Sequence, residues 1–165
     1  MKIILDGMGG DHAPAAIVEG AVQASKEIDH EIHIIGQEEL INAELSKYKF
    51  NPDKIFVIDA REVITNDDAP VRAVRSKKDS SIVKGINMVK NGEGDIFISA
   101  GSTGALMAGG LFLLGRIQGI DRPALASVYP ILGSKASLLL DAGANAECKP
   151  NNLLEFGIMG NIYKE

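Results

Sequence analysis

The chain has 165 residues, enough for one domain with its own core, and its 45% apolar to 24% charged balance is that of an ordinary globular protein. A net charge of −5 without a basic stripe argues against general nucleic-acid binding, and a single cysteine, Cys148, excludes an internal disulfide framework and fits a reducing compartment. The apolar stretch near the N-terminus is three residues, too short for a signal peptide or a membrane span, so the expected location is the cytoplasm.

Ile3 to Leu5 read as a short buried strand ending at Asp6, and the loop Gly7-Met8-Gly9-Gly10-Asp11-His12 follows. A helix is predicted from about Pro14, with Ile17, Ala21, Ala24 and Ile28 on one face. Ile32 to Ile35 form a second strand stopped by Gly36, residues 37–45 a short amphipathic helix, and Ile55 to Ile58 a third strand stopped by Asp59. Residues 61–79 are polar and end in the basic run Arg72-Ala73-Val74-Arg75-Ser76-Lys77-Lys78. A helix follows from about Ser80, with Ile82, Ile86 and Val89 on one face, and then a fourth strand over 95–99. Ala100-Gly101-Ser102-Thr103-Gly104 turns into an apolar helix over about 103–114. Leu125 to Tyr129 and Ser137 to Leu140 are two further strands, Asp141 to Asn145 a loop, and 151–164 a last helix.

Strands alternating with helices imply an α/β fold, Rossmann-like, with a mostly parallel sheet and helices on both faces. Near-continuous apolar strands agree, since such strands are buried on both sides. In open sheets of this type ligands bind beyond the carboxyl ends of the strands, where the loops 6–12, 99–104 and 141–145 lie. The last helix has no strand after it, so the chain is expected to be the N-terminal part of a single α/β catalytic unit, truncated or cleaved before a C-terminal half.

The loop after Asp6 sits between a strand and a helix, where Gly7, Gly9 and Gly10 let backbone N–H groups approach an anion. The dinucleotide fingerprint G-x-G-x-x-G is not met, because His12 stands where its last glycine is required, and no acidic residue ends the second strand. A tight turn with packing glycines is the alternative reading. His12 reads either as a donor or acid–base group or as a structural histidine at a helix start. Ser102 and Thr103 offer hydroxyls to an anion or cap a helix; without a following lysine this is not a Walker A loop, and Gly101 directly before Ser102 excludes a nucleophile elbow. Asp141 orients a substrate or caps the turn after it. The basic run on an acidic protein suits an acidic partner or a phosphate, or is a solvated surface. No His, Cys and carboxylate cluster has the spacing of a metal site, and no cofactor is expected.

Asp6-Gly-Met-Gly-Gly-Asp-His-Ala-Pro14, Ser99-Ala-Gly-Ser-Thr-Gly-Ala105, Arg122-Pro-Ala124 and Leu140-Asp-Ala-Gly-Ala-Asn145, in that order, resemble the bacterial acyl-ACP:phosphate acyltransferases, the fatty acid/phospholipid synthesis proteins called PlsX. The resemblance covers essentially the whole chain, but family members are roughly twice as long. It implies an isocitrate-dehydrogenase-like and phosphate-acetyltransferase-like fold. It also implies transfer of a long fatty acyl group from acyl carrier protein to inorganic phosphate, giving acyl phosphate for phospholipid synthesis. A cytoplasmic homodimer, peripherally membrane-associated through the missing half, is implied as well. From their positions in these loops, Asp6, Gly7, Gly9, Gly10, Ser102, Thr103, Gly104, Asp141 and Asn145 are expected to bind substrate or phosphate, His12 to donate to phosphate or the leaving thiolate, and Asp11 to join it as a catalytic candidate. A phosphate acetyl- or butyryltransferase using short acyl-CoA, and an inactive ligand-binding fragment, are the other two readings.

Overall fold

The computed structural model describes residues 1–133 and 136–164. Two compact units are present, Met1–Leu114 and Gly115–Glu165. In the first, β1 (Lys2–Asp6), β2 (Glu31–Gly36), β3 (Ile55–Asp59) and β4 (Ile96–Ile98) form an all-parallel sheet in the order β3-β2-β1-β4. α1 (Ala15–Glu27) and α2 (Glu38–Leu45) lie on one face, where Val18, Ala21, Val22 and Ile41 pack on Ile32, Ile34 and Ile55. Ile4, Ile35 and Ala60 point to the other face, against Met88 and Val89 of α4 (Ser81–Lys90). Ile34 and Ile35 serve opposite faces because successive strand side chains alternate. The expected parallel α/β fold is therefore present in this unit.

Three details differ from the sequence reading. The polar stretch 61–79 contains a helix, α3 (Pro70–Ser76), opened by a proline at its first position and anchored by buried Ala73 and Val74. The apolar helix after the second glycine loop is α5 (Thr103–Gly109) continued by a π-helical turn, Gly110–Leu114, at a Gly109-Gly110 pair. The stripe of α1 buried in the core is centred on Val18, Ala21, Val22 and Ser25, with Ala24 and Ile28 at its margin.

In the second unit, β5 (Ser127–Pro130) and β6 (Ala136–Leu139) pair antiparallel, and α6 runs over Pro150–Lys164. The buried residues of α6 are Asn152, Glu155 and Phe156, whereas Leu153, Leu154, Ile158 and Ile162 are exposed. Its polar residues are buried because they have partners: Glu155 accepts from the Asp121 amide at 2.9 Å and Asn152 from the Lys149 amide at 3.0 Å. Among the described residues no helix is long and apolar enough to cross a membrane.

Candidate phosphate-binding site

The strand order locates a crevice. From β1 the chain proceeds outward to β2 and β3, then returns to place β4 on the other side of β1. Loops leaving the carboxyl ends of β1 and β4 therefore diverge, and this switch point is where open α/β sheets hold ligands. The two loops that meet there are 7–14 and 99–102, and β1 and β4 are in register up to Leu5 opposite Ile98.

Asp6 ends β1 and is 1% exposed. Its Oδ2 accepts from Ser99 Oγ at 2.6 Å and its Oδ1 from the Met8 amide at 3.1 Å. Ser99 Oγ in turn accepts from the Gly101 amide at 3.0 Å. One buried carboxylate thus fixes the first turn of both loops, and its charge is met by two donors. The backbones touch here: a Cβ on Gly9 would sit 2.5 Å from Asp6 Oδ2 and 2.7 Å from the Gly101 nitrogen. Only glycine allows this approach.

The other residues of the first loop surround this clamp. The Gly7 amide donates to Ile35 O at 2.8 Å, tying the loop start to β2. Gly10 has φ +98°, a conformation that side chains disfavour, and faces Ala100 of the second loop. The amides of Gly9, Gly10 and Asp11 have no acceptor among the described residues. Asp11 and His12 are exposed at the entry to α1, and His12 O accepts from the Ala16 amide at 3.0 Å. In the second loop Ser102 is buried and caps α5, its Oγ accepting from the Ala105 amide at 3.4 Å. Thr103 and Gly104 are exposed, and Gly104 packs on Pro70 of α3.

Residues 1–165 match the family described as "Fatty acid synthesis protein". The chain belongs to that family. It is 59% identical over 165 residues to the phosphate acyltransferase of Alkaliphilus oremlandii, covering 100% of this chain and 49% of that protein. It is 54% identical over 163 residues to the phosphate acyltransferase of Clostridioides difficile, covering 99% and 48%, and 53% identical over 167 residues to that of Clostridium novyi, covering 100% and 50%. The chain thus spans about half the length of the curated relatives it matches.

Within this fatty acid synthesis family member the structure brings Asp6, Gly7, Gly9, Gly10, Asp11, His12, Ser102, Thr103 and Gly104 to one end of one sheet. Asp141 and Asn145 belong to the second unit. Asp141 accepts from the Leu125 amide at 2.8 Å, and its second oxygen accepts from the Asn145 amide at 2.7 Å and from Asn145 Nδ2 at 3.0 Å. Burial pushes this carboxyl up, but the hydrogen bonds from Leu125 and Asn145 outweigh it and hold the group below the ordinary carboxylate range. Asn145 Nδ2 also donates to Pro123 O at 3.0 Å, so the pair closes its own loop.

Ser99 and Gly101 are site residues that the sequence reading passed over. Their signal is positional: Ser99 directly follows a strand that pairs with β1, at the level where Asp6 ends its neighbour. A cleft of about 640 Å³ at the opposite, amino ends of the strands is lined by Asp29, Glu31, Asp53 and Asp95 together with Lys2 and Lys54. Lys54 pairs with Asp29 at 3.2 Å and Lys2 with Glu31 at 3.8 Å, the carboxylates outnumber the lysines, and the cleft holds none of the glycine-loop residues.

Proposed function

We propose that this chain holds inorganic phosphate for attack on a fatty acyl thioester, as part of an acyltransferase that takes a long acyl group from acyl carrier protein and releases acyl phosphate for phospholipid synthesis. One observation carries the reading: in a chain matching a fatty acid synthesis family along its whole length, two glycine loops are clamped together at the sheet's switch point with unused backbone N–H groups. The names of its relatives, phosphate acyltransferases, support the same reaction class.

The chemistry asks little of a covalent nucleophile. Phosphate is anionic at neutral pH. One of its oxygens attacks the thioester carbonyl, the tetrahedral oxyanion collapses, the C–S bond breaks, and the departing sulfur leaves as the thiol, taking up the proton that hydrogen phosphate gives up. The protein must hold phosphate against the carbonyl and stabilise the oxyanion. Backbone amides of Gly9, Gly10 and Asp11, with the hydroxyls of Ser102 and Thr103, supply donors without a competing positive side chain. His12, exposed at the rim, is the proposed donor to the leaving thiolate or to phosphate. Asp6 acts one step back: a buried carboxylate beside phosphate would repel it, and its oxygens are engaged by Ser99 and Met8. Asp141 and Asn145 remain proposed substrate-orienting residues through the loop that they shape. The reading includes a cytoplasmic homodimer with peripheral membrane association, as the family resemblance implies.

The test supplies radiolabelled phosphate with palmitoyl-acyl carrier protein or with acetyl-CoA and extracts acyl phosphate. Label in long-chain acyl phosphate is the expected result. Product from acetyl-CoA alone transfers the assignment to short-chain acyl exchange, and no product from either removes the enzymatic reading for this chain.

A further inference from the structure

The second glycine loop has a basic neighbour. α3 leans on α5 through Pro70 against Gly104, and carries Arg72 and Arg75 three positions apart, hence on one face. Both arginines are exposed, and among the described residues neither has a carboxylate partner. Of the cations near by, Lys77 pairs with Asp68 at 2.7 Å, Arg61 with Asp59 at 3.1 Å and Lys84 with Asp79, while Lys78 donates to the Val74 carbonyl at 3.4 Å. The Arg75 guanidinium lies 5.4 Å from the centroid of Phe112, which is half exposed, and Val71 is exposed beside it. A shallow concavity of about 600 Å³ lies along this helix, lined by Pro70, Val71, Arg72 and Arg75.

We propose that this α3 surface docks an acidic protein partner, the acyl carrier of the proposed reaction. The inference rests on the functional reading above and adds the place where the donor binds. Two unpaired arginines beside an aromatic and a valine, on a chain of net charge −5, complement a partner presenting carboxylates around a small apolar edge. Arginine suits such an edge because it binds carboxylates in bidentate fashion and stacks on rings. A carrier seated on α3 brings its thioester arm to the loop at Gly104, which the same helix supports. A membrane surface fits less well: α3 has seven residues, too few for the broad apolar face of an interfacial helix.

The experiment measures binding of fluorescent palmitoyl-acyl carrier protein to the wild type and to an Arg72→Glu/Arg75→Glu variant shown to be folded by circular dichroism. The variant is expected to weaken Kd by about tenfold or more, while Arg72→Lys/Arg75→Lys, which keeps the charge but loses the bidentate and stacking contacts, is expected to weaken it by less than the reversal. Equal Kd for wild type and charge-reversed protein overturns the proposal, as does a wild type that does not bind the carrier. Should the reversal fail to fold, Arg75→Gln with an unchanged Kd and an unchanged salt dependence overturns it equally. Loss of binding to phosphatidylglycerol vesicles with carrier binding intact reassigns the surface to lipid. Acyl-phosphate formation from a long-chain acyl-CoA separates this proposal from the functional one, because that donor has no carrier to dock. The variants are expected to keep it, and its absence in wild type together with absent carrier-dependent product counts against the enzyme rather than the surface.

Discussion

Ser99 Oγ lies 2.6 Å from Asp6 Oδ2, across 93 positions of sequence, and this one hydrogen bond joins the two loops of the candidate site. Ser99→Ala leaves a buried carboxylate with one donor fewer and the Gly101 amide without its acceptor. The expected loss is about 1–3 kcal/mol in chemical denaturation, accompanied by weaker phosphate binding. Unchanged stability and unchanged phosphate affinity together would remove the clamp from the mechanism.

Gly9→Ala tests the close approach of the loops. Its Cβ would fall 2.5 Å from Asp6 Oδ2 and 2.7 Å from backbone at Gly101, so the loops must separate. Thermal or urea unfolding is expected to show a loss of about 1–3 kcal/mol. Gly20→Ala is the control: it lies inside α1 with open space around it, and is expected to stabilise by about 0.5–1 kcal/mol.

Much of this was legible in the sequence, and for a physical reason. β1, β2 and β3 are short apolar runs stopped by Asp or Gly, and a parallel strand buried on both faces has that form. The glycine loops were legible because strand, glycine turn and helix follow one another without interruption. Which loops meet was not legible, because strand order is a long-range property: nothing local to Ser99 shows that β4 returns to the side of β1 facing Asp6. α3 was hidden in a polar segment since its anchors are only Ala73 and Val74. In α6 the apolar residues run around the helix, so periodicity could not show that Asn152 and Glu155 are the residues turned inward.

His12→Ala separates a chemical role from a positional one. Proton transfer by a placed histidine is worth about 10²–10⁴-fold, so kcat/KM for acyl-phosphate formation is expected to fall into that range below wild type. An unchanged kcat/KM leaves His12 as a helix-start residue and gives the thiolate its proton from water.

Acid sensitivity follows from paired carboxylates. Lys77 beside Asp68, helped by the Thr65 amide, holds that carboxyl below its ordinary range. A folded-state pKa lower than the unfolded one means that the unfolded chain binds more protons, so stability rises with pH through this window. The contribution is present above the unfolded carboxylate value of about 4 and is lost as pH falls through the folded one. Asp68→Asn is expected to flatten the fall in stability on acidification below about pH 5, measured by urea unfolding. A variant with the wild-type slope would show that this pair is screened to no effect.

Phosphate titration of the isotope-labelled chain, followed by amide NMR, reads the two-loop phosphate site without requiring turnover. Saturable shifts confined to Gly9, Gly10, Asp11 and the 102–104 amides, absent with chloride and lost in Gly9→Ala, are the predicted result. Shifts that never saturate, or that gather on Arg72 and Arg75 while the glycine loops stay still, would contradict it.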